Sequence, residues 1–378
     1  MQFFLLSTVL AGFTPLASAI SVSGAAEGFA ETVTGGGAAA PVHPKTPSEL
    51  VAFLGDPSPQ VIVLEGTIDF TKTEGEATET GCAPWGTESG CQLAINQDDW
   101  CTNYQGNAPA APVTYDKAGL SGIAITSDKT LLGSGPEAVI KGKGLRIVNA
   151  KNVIIQNVAI TDINAQYVWG GDAITIDEAD LVWIDHVTTA RIGRQHLVHG
   201  TGAGNRVTIS NSHFDGVSDF SATCNGYAYW GLYFAGSNDQ ITFKRNYIHN
   251  FSGRSPKVQG GTLLHAVNNF WADSTGHAFE IGTGGSVLAE GNVFQNIATP
   301  AQEPIEGELF TAPDATANAG CAAHLGRDCQ ANVFENSGLF TQADTGFLPK
   351  FGGGGTIALA DPASAIQSVP DEAGQGKI

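Results

Sequence analysis

The sequence predicts an all-β protein: a single-stranded right-handed parallel β-helix with long loops and a short N-terminal helix. Three observations carry that expectation. The first is a recurring segment: Val153-Ile-Ile-Gln-Asn157, Val182-Trp-Ile-Asp-His186, Val207-Thr-Ile-Ser-Asn211, Ile241-Thr-Phe-Lys-Arg-Asn246, Leu264-His-Ala-Val-Asn-Asn269 and Val287-Leu-Ala-Glu-Gly-Asn292. Each copy opens on β-branched or apolar residues and ends on Asn or His, with successive ends 29, 25, 35, 23 and 23 residues apart. Repeats of this length stack as a solenoid, and one strand-rich coil per repeat makes a parallel β-helix. The second is composition. Glycine supplies 48 of 378 residues, against a usual share of ~7%, there is one Met, and DEKR residues make 15%, against a usual ~25%. A helical bundle would carry more charged helix formers. The third is a 42% hydrophobic share, enough for a large core and too much for a disordered chain.

Taken in order, residues 1–19 hold an apolar run ending in Ala17-Ser18-Ala19, the pattern of a secretory signal peptide too short to span a membrane comfortably. Residues 20–378 are then expected to form one secreted, soluble, monomeric domain. Thr46-Pro47-Ser48-Glu49 reads as a capping box with Pro at the first helical position, and Leu50, Phe53 and Leu54 follow at helical spacing. Gln60–Phe70 reads as one strand. Residues 72–117 are polar and Gly- and Cys-rich, and read as one long loop region pinned by disulfides. The Asn and His positions of the repeat are expected at one corner, where Asn tolerates left-handed backbone and its amide bonds the coil above. The 35-residue interval holds Asp219–Tyr233, the place for a protruding functional loop. The tail after Phe351 reads as irregular.

Six cysteines fit an oxidising compartment and allow 15 pairings. Cys321 and Cys329 are placed to close a local loop. Cys82, Cys91, Cys101 and Cys224 are left to pair among themselves, with one long bridge to Cys224. No C-x₂₋₄-C spacing supports zinc.

A formal charge of −19 disfavours nucleic acid and anionic membranes as partners. The charge is uneven. Lys141 to Lys257 holds eleven Lys/Arg against nine Asp/Glu, a surplus of +2, so the remainder carries −21. Six of the seven arginines fall in that window, which suggests one cationic site on the central coils. Trp85, Trp100 and Tyr104 lie in the Cys-rich region, and Trp169, Tyr227, Tyr229, Trp230 and Tyr233 are expected in inserts between coils. Trp and Tyr outside strands suit a wall for sugar rings. Trp183 and Trp271 sit in or beside strands and read as packing.

The Val182-Trp-Ile-Asp-His186, Ser218-Asp-Phe-Ser-Ala-Thr-Cys-Asn-Gly226 and Ser252-Gly-Arg-Ser-Pro-Lys257 segments, with the signal and six-cysteine pattern, resemble a fungal-type pectin lyase of the pectate lyase superfamily. The resemblance covers the mature chain. Calcium-dependent pectate lyases carry a second arginine three residues after the Arg-Ser-Pro proline. Gln259 stands there here, which points to the pectin lyases. The resemblance implies Arg254 as the catalytic residue with Lys257 near it, Asp172 as the acidic residue of the preceding coil, and Arg194 where calcium enzymes keep a carboxylate ligand. It implies no cofactor and no metal. It pairs Cys82 with Cys101, Cys91 with Cys224 and Cys321 with Cys329, and places Trp85, Trp100, Tyr104, Trp169 and Trp230 in an aromatic cleft, to which Tyr229 and Tyr233 add.

The implied activity is endo-cleavage of α-1,4-linked methyl-esterified galacturonan by β-elimination. With C6 as an ester, no carboxylate charge opposes loss of the C5 proton, and fixed cations aimed at the developing enolate suffice, each typically worth about 3–4 kcal/mol. The −19 charge would repel demethylated polymer. Arginine, with a pKa above 12, is an unusual base, and Lys257 is the alternative proton acceptor. Rival readings are a calcium-dependent pectate lyase, a glycoside hydrolase with paired carboxylates, and a non-catalytic polysaccharide-binding solenoid. Asp185 and His186 read as a structural pair, and His196 and His199 as residues on opposite faces. Asn250-Phe251-Ser252 is the one glycosylation sequon, expected at low occupancy because it lies beside the proposed site.

Overall fold

A computed structural model describes residues 20–352 and 357–378. The expected signal peptide, 1–19, lies outside the described residues. The β-branched segments do form stacked strands. Among the described residues, a ten-stranded parallel sheet runs from Pro41–Val42 to Glu308–Phe310, and a fifteen-stranded sheet makes the other two faces of each coil. The long strand Phe270–Ile281 runs through both of those faces and joins them. The chain is a parallel β-helix.

Lateral register stacks like on like. Val153, Val182, Val207, Ile241, Leu264, Val287 and Leu309 form one column, all fully buried. Ile155, Ile184, Ile209 and Phe243 form another. Each such side chain withdrawn from water contributes roughly 1.5–3 kcal/mol, so the columns drive the stacking. In helix α1, Pro47–Gly55, the Glu49 N–H donates to the Thr46 side chain, and Leu50 and Leu54 pack on the first coil.

The repeat's polar ends occupy two adjacent positions, not one. Asn157, His186, Asn211, Arg245, Asn268 and Gly291 turn the corner, all with φ between 46° and 62°. The following residue points inward and builds the ladder. The backbone N–H of Ser212 donates to Asn246 Oδ1 (2.9 Å), that of Asn246 to Asn269 Oδ1 (2.9 Å), that of Asn269 to Asn292 Oδ1 (2.8 Å) and that of Asn292 to Asn332 Oδ1 (2.9 Å). The 35-residue interval therefore includes a one-position slip, because Asn suits both the left-handed turn and the ladder.

Three other expectations need correction. Gln60–Phe70 is two strands, Gln60–Leu64 and Ile68–Asp69, on different faces of one coil. The Cys-rich region is not one loop. Glu76–Cys82 and Ala110–Asp116 pair antiparallel, and Leu93–Ala94 joins them to Tyr167–Val168. The tail contains two short helical turns, Ala363–Ala365 and Val369–Glu372.

The N-terminal Gly/Ala stretch has a role that composition did not suggest. It lies across the ten-stranded sheet, with Phe29 N–H donating to Thr242 Oγ1 (3.1 Å), Ala30 N–H to Thr208 Oγ1 (3.2 Å) and Gly36 N–H to Thr130 Oγ1 (2.9 Å). A Cβ on Gly36 would sit 2.0 Å from Gln60 O, so only glycine permits that approach. Trp183 is buried beneath this segment and Trp271 is in the core, both as packing.

Asn269 both accepts from and donates to neighbouring coils, its Nδ2 reaching Phe243 O at 2.7 Å. Asn269→Ala orphans buried groups that each cost ~1–3 kcal/mol. The expected loss is about 2–4 kcal/mol in urea unfolding, and a loss below about 0.5 kcal/mol would remove the ladder from the account of stability.

Candidate active site

Parallel register brings the cations together. On one face, Arg146, Thr175, Val198, Tyr233, Lys257, Glu280 and Gln302 form a single column. These are the outward positions of strands whose neighbours, such as Leu232 and Val258, face the core. Lys257 Nζ pairs with Glu280 Oε1. Arg254, three residues before Lys257, donates from Nε to Glu280 Oε2 at 3.3 Å.

Arg254 has φ +44°, a left-handed conformation that a non-glycine residue adopts only when its surroundings enforce it. Several contacts do so. Its N–H donates to His277 Nε2 (3.2 Å), its C=O accepts from Leu232 N–H (2.7 Å), and Trp271 Nε1–H holds the next carbonyl, Ser255 O (2.6 Å). His277 Nε2 also lies 3.6 Å from Glu280 Oε2. The guanidinium lies 5.5 Å from the Tyr229 ring centroid and 5.3 Å from that of Trp230.

Glu280 is the anion that holds this cluster. Burial pushes its carboxyl up, but His277, Lys257 and Arg254 together outweigh that and bring it down to about 2.

Arg194 stands one stretch along the groove. Its guanidinium lies 4.2 Å from the Trp169 centroid, and Nη1 is 3.7 Å from Asp172 Oδ2. Asp172 is partly buried, and desolvation raises its pKa. Arg194 and the Gln195 N–H, which donates to Oδ1 at 2.9 Å, oppose that rise.

Between the two arginines runs an arc of tryptophans. Trp169 and Trp100 centroids are 5.9 Å apart, Trp100 and Trp85 6.4 Å, and Trp85 and Trp230 5.9 Å. Pairs at these separations add ~0.5–1.5 kcal/mol each beyond area burial. Disulfides fix the arc. Cys82–Cys101 ties the Trp85 and Trp100 turns together, Cys91–Cys224 ties the Cys-rich region to the insert bearing Tyr229 and Trp230, and Cys321–Cys329 closes a distant loop. All three pairings are those the resemblance implied.

Two expected cleft residues stand differently. Tyr104 ends the short helix Trp100–Tyr104, is 73% exposed and lies outside the ring cluster. Tyr233 lies on the strand Leu232–Phe234, not in an insert, and its hydroxyl accepts from Gln259 Nε2 (2.9 Å). The arginines do not all converge. Arg191, Arg206 and Arg245 pair with Asp162, Asp180 and Glu372 away from the groove. Asp185 is a structural hub, accepting from Gln156, Ser210 and Asn211 and bonding His186. His196 packs on Thr189 and Phe251, and His199 on Asp239 and Phe234, so they form no common site.

Sequence reading missed Glu280, His277 and Gln92. Gln92 is buried, donates to Ala165 O (3.1 Å) and Gly193 O (2.7 Å), and accepts from Trp230 Nε1 (2.9 Å). It links the Cys-rich region, the coil edge and the aromatic wall.

The model of the family described as "Pectate lyase" matches residues 2–357. The chain belongs to the pectate lyase family. Within the family it is similar to the pectin lyases. It is 69% identical over 379 residues to "Probable pectin lyase A" of Aspergillus oryzae, covering 100% of each chain. It is 64% identical over 362 residues to "Pectin lyase B" of Emericella nidulans, covering 96% of each. Its fold matches that of a pectate lyase from Bacillus sp. N165 solved in complex with trigalacturonate, with a TM-score of 0.62 at 19% identity over 93% of this chain and 98% of that one. Calcium, used by part of the family, needs six to eight oxygen ligands. Here Asp172 faces Arg194, and among the described residues no group of three or more His, Cys, Asp or Glu is arranged for a metal. The residues do not fit that ion.

Because Glu280 titrates near 2 when folded and near an ordinary 4.5 when unfolded, it stabilises the fold fully above about pH 4.5, and that contribution is lost as pH falls through 2. Glu280→Gln should therefore lower the thermal midpoint at pH 6, with the gap to the parent closing by pH 2. A gap constant across that range would sink the assignment.

Proposed function

We infer that the chain is a secreted pectin lyase cleaving methyl-esterified α-1,4-galacturonan within the polymer by β-elimination. The observation that carries this reading is the charge type of the groove: Arg254, Lys257 and Arg194 line it, and its carboxylates Glu280 and Asp172 are each faced by one or more of them. Identity of 62–69% to proteins named pectin lyase over essentially the whole chain supports it. Three disulfides suit an extracellular destination.

Among the described residues Arg254 is hydrogen-bonded through its side chain at Nε alone, so its terminal nitrogens are the groups left to face substrate. Lys257 Nζ is engaged by Glu280. Arg254, a cation beside Glu280 at rest, gives one proton to water and then takes the C5 proton. The C5–H electron pair is held on the ester carbonyl and then forms the C4=C5 bond. The C4–O bond breaks, and its oxygen leaves with the pair and is protonated by water. Lys257 and Arg194 act as fixed cations on the polymer, and the tryptophan arc packs against sugar C–H faces.

Highly methylated pectin plus chelator should yield the ultraviolet absorbance of a 4,5-unsaturated product. Reducing ends without absorbance would mean hydrolysis, and binding alone would mean a non-catalytic solenoid. Arg254→Ala should lower kcat by at least ~10³-fold, at or beyond the upper end for one preorganised group, with pectin affinity held within about threefold. A near-normal kcat overturns the role.

A further inference from the structure

The column that carries Lys257 is electrically lopsided along its length. From Arg146 to Gln302 it spans six strand spacings, roughly 29 Å. At the Arg146 end lies a cavity of about 210 Å³ lined by Arg146, Trp169, Asp172, Thr175 and Arg194. Arg146 has no ion-pair partner among the described residues, and the Trp169 indole N–H is buried there without an acceptor. This end holds one surplus positive charge and an unused donor. At the other end lies a cavity of about 490 Å³, lined by Lys257, Glu280, Gln302, Glu303 and Glu306. Lys257 is matched by Glu280. Among the described residues Glu303 and Glu306 meet neutral donors only: Gln342 Nε2 at 3.2 Å and the Ile305 N–H at 3.1 Å for the first, and Thr283 Oγ1 at 3.2 Å for the second. With Arg254, which also bonds Glu280, counted in, this end holds one surplus negative charge.

Both cavities meet residues of the proposed catalytic cluster, so the polymer that reaches Lys257 runs along this gradient. We propose that the groove reads the position of ester groups as well as their number. Rings beyond Lys257, beside Glu303 and Glu306, must carry the neutral methyl ester, because a free carboxylate there faces two carboxylates that have no ion-pair partner among the described residues. Rings at the Arg146 and Arg194 end accept a free carboxylate, which meets a guanidinium. Glu303, Glu306 and Arg146 are then specificity residues for the elimination. The proposal rests on the lyase reading above.

The test uses the full-length enzyme and fully methylated hexagalacturonates in which one ring, at either terminus, carries a free carboxylate. The two placements should differ at least tenfold in kcat/KM for unsaturated product. For Glu303→Gln/Glu306→Gln that ratio should fall toward one, whereas Arg146→Gln should slow the better-tolerated placement about fivefold or more. In the parent enzyme, raising salt to about 1 M, where screening acts within about 3 Å, should also narrow the ratio without any substitution. Equal rates for the two placements, or a ratio unmoved by the glutamate changes and by salt, overturns the proposal. Absence of unsaturated product from every substrate would instead overturn the lyase reading.

Discussion

Lateral hydrogen bonding between parallel coils is the constraint on which the rest of this molecule depends. It holds residues about one coil apart in sequence directly above one another. The aliphatic columns inside and the charged column outside are two products of one register. Tyr233, Lys257 and Glu280 are neighbours for the same reason that Ile241, Leu264 and Val287 are. A one-residue slip would send every inner side chain outward and break the core and the cation cluster together.

Given that register, the site is an exercise in placing like charges close together. Arg254 and Lys257 approach each other because one carboxylate, Glu280, bonds both. Arg194 is steadied by Asp172 and by the Trp169 face. The wall between them is not part of the solenoid's regular faces. It is assembled from the Cys-rich sheet and the long insert, brought to the coil edge by the Cys91–Cys224 bridge and by Gln92. The scaffold sets the cations and the loops set the aromatics.

The fold was largely legible in the sequence because stacking repeats the same chemical demand at every coil, and β-branched residues ending on Asn are its trace. The corner was misread by one position, since Asn satisfies both the turn and the ladder. Arg254, Lys257, Arg194 and Asp172 were singled out through resemblance, and the structure sets Arg254 and Lys257 on Glu280 and Arg194 on Asp172. Glu280 carried a signal that went unread: it lies 23 residues after Lys257, the same interval that separates Asn246, Asn269 and Asn292. Gln92 carried none, because its role arises only where three segments distant in sequence meet. Tyr104 was assigned to the cleft by the resemblance, and the short helix ends with it in solvent.

The two ends of the described chain both fold back along the solenoid. The segment near Phe29 bonds Thr208 and Thr242, roughly 180–210 positions away, and Gln375 and Gly376 bond Thr188, Gly135 and Asn157. A plain repeat array is held by nearest-neighbour contacts and frays from its ends. Here these straps cross several coils and couple early ones to late ones. Opening any terminal coil means first releasing a strap that also holds the middle, so the molecule should behave as one cooperative unit, with a folding route dominated by long-range closure and correspondingly slow.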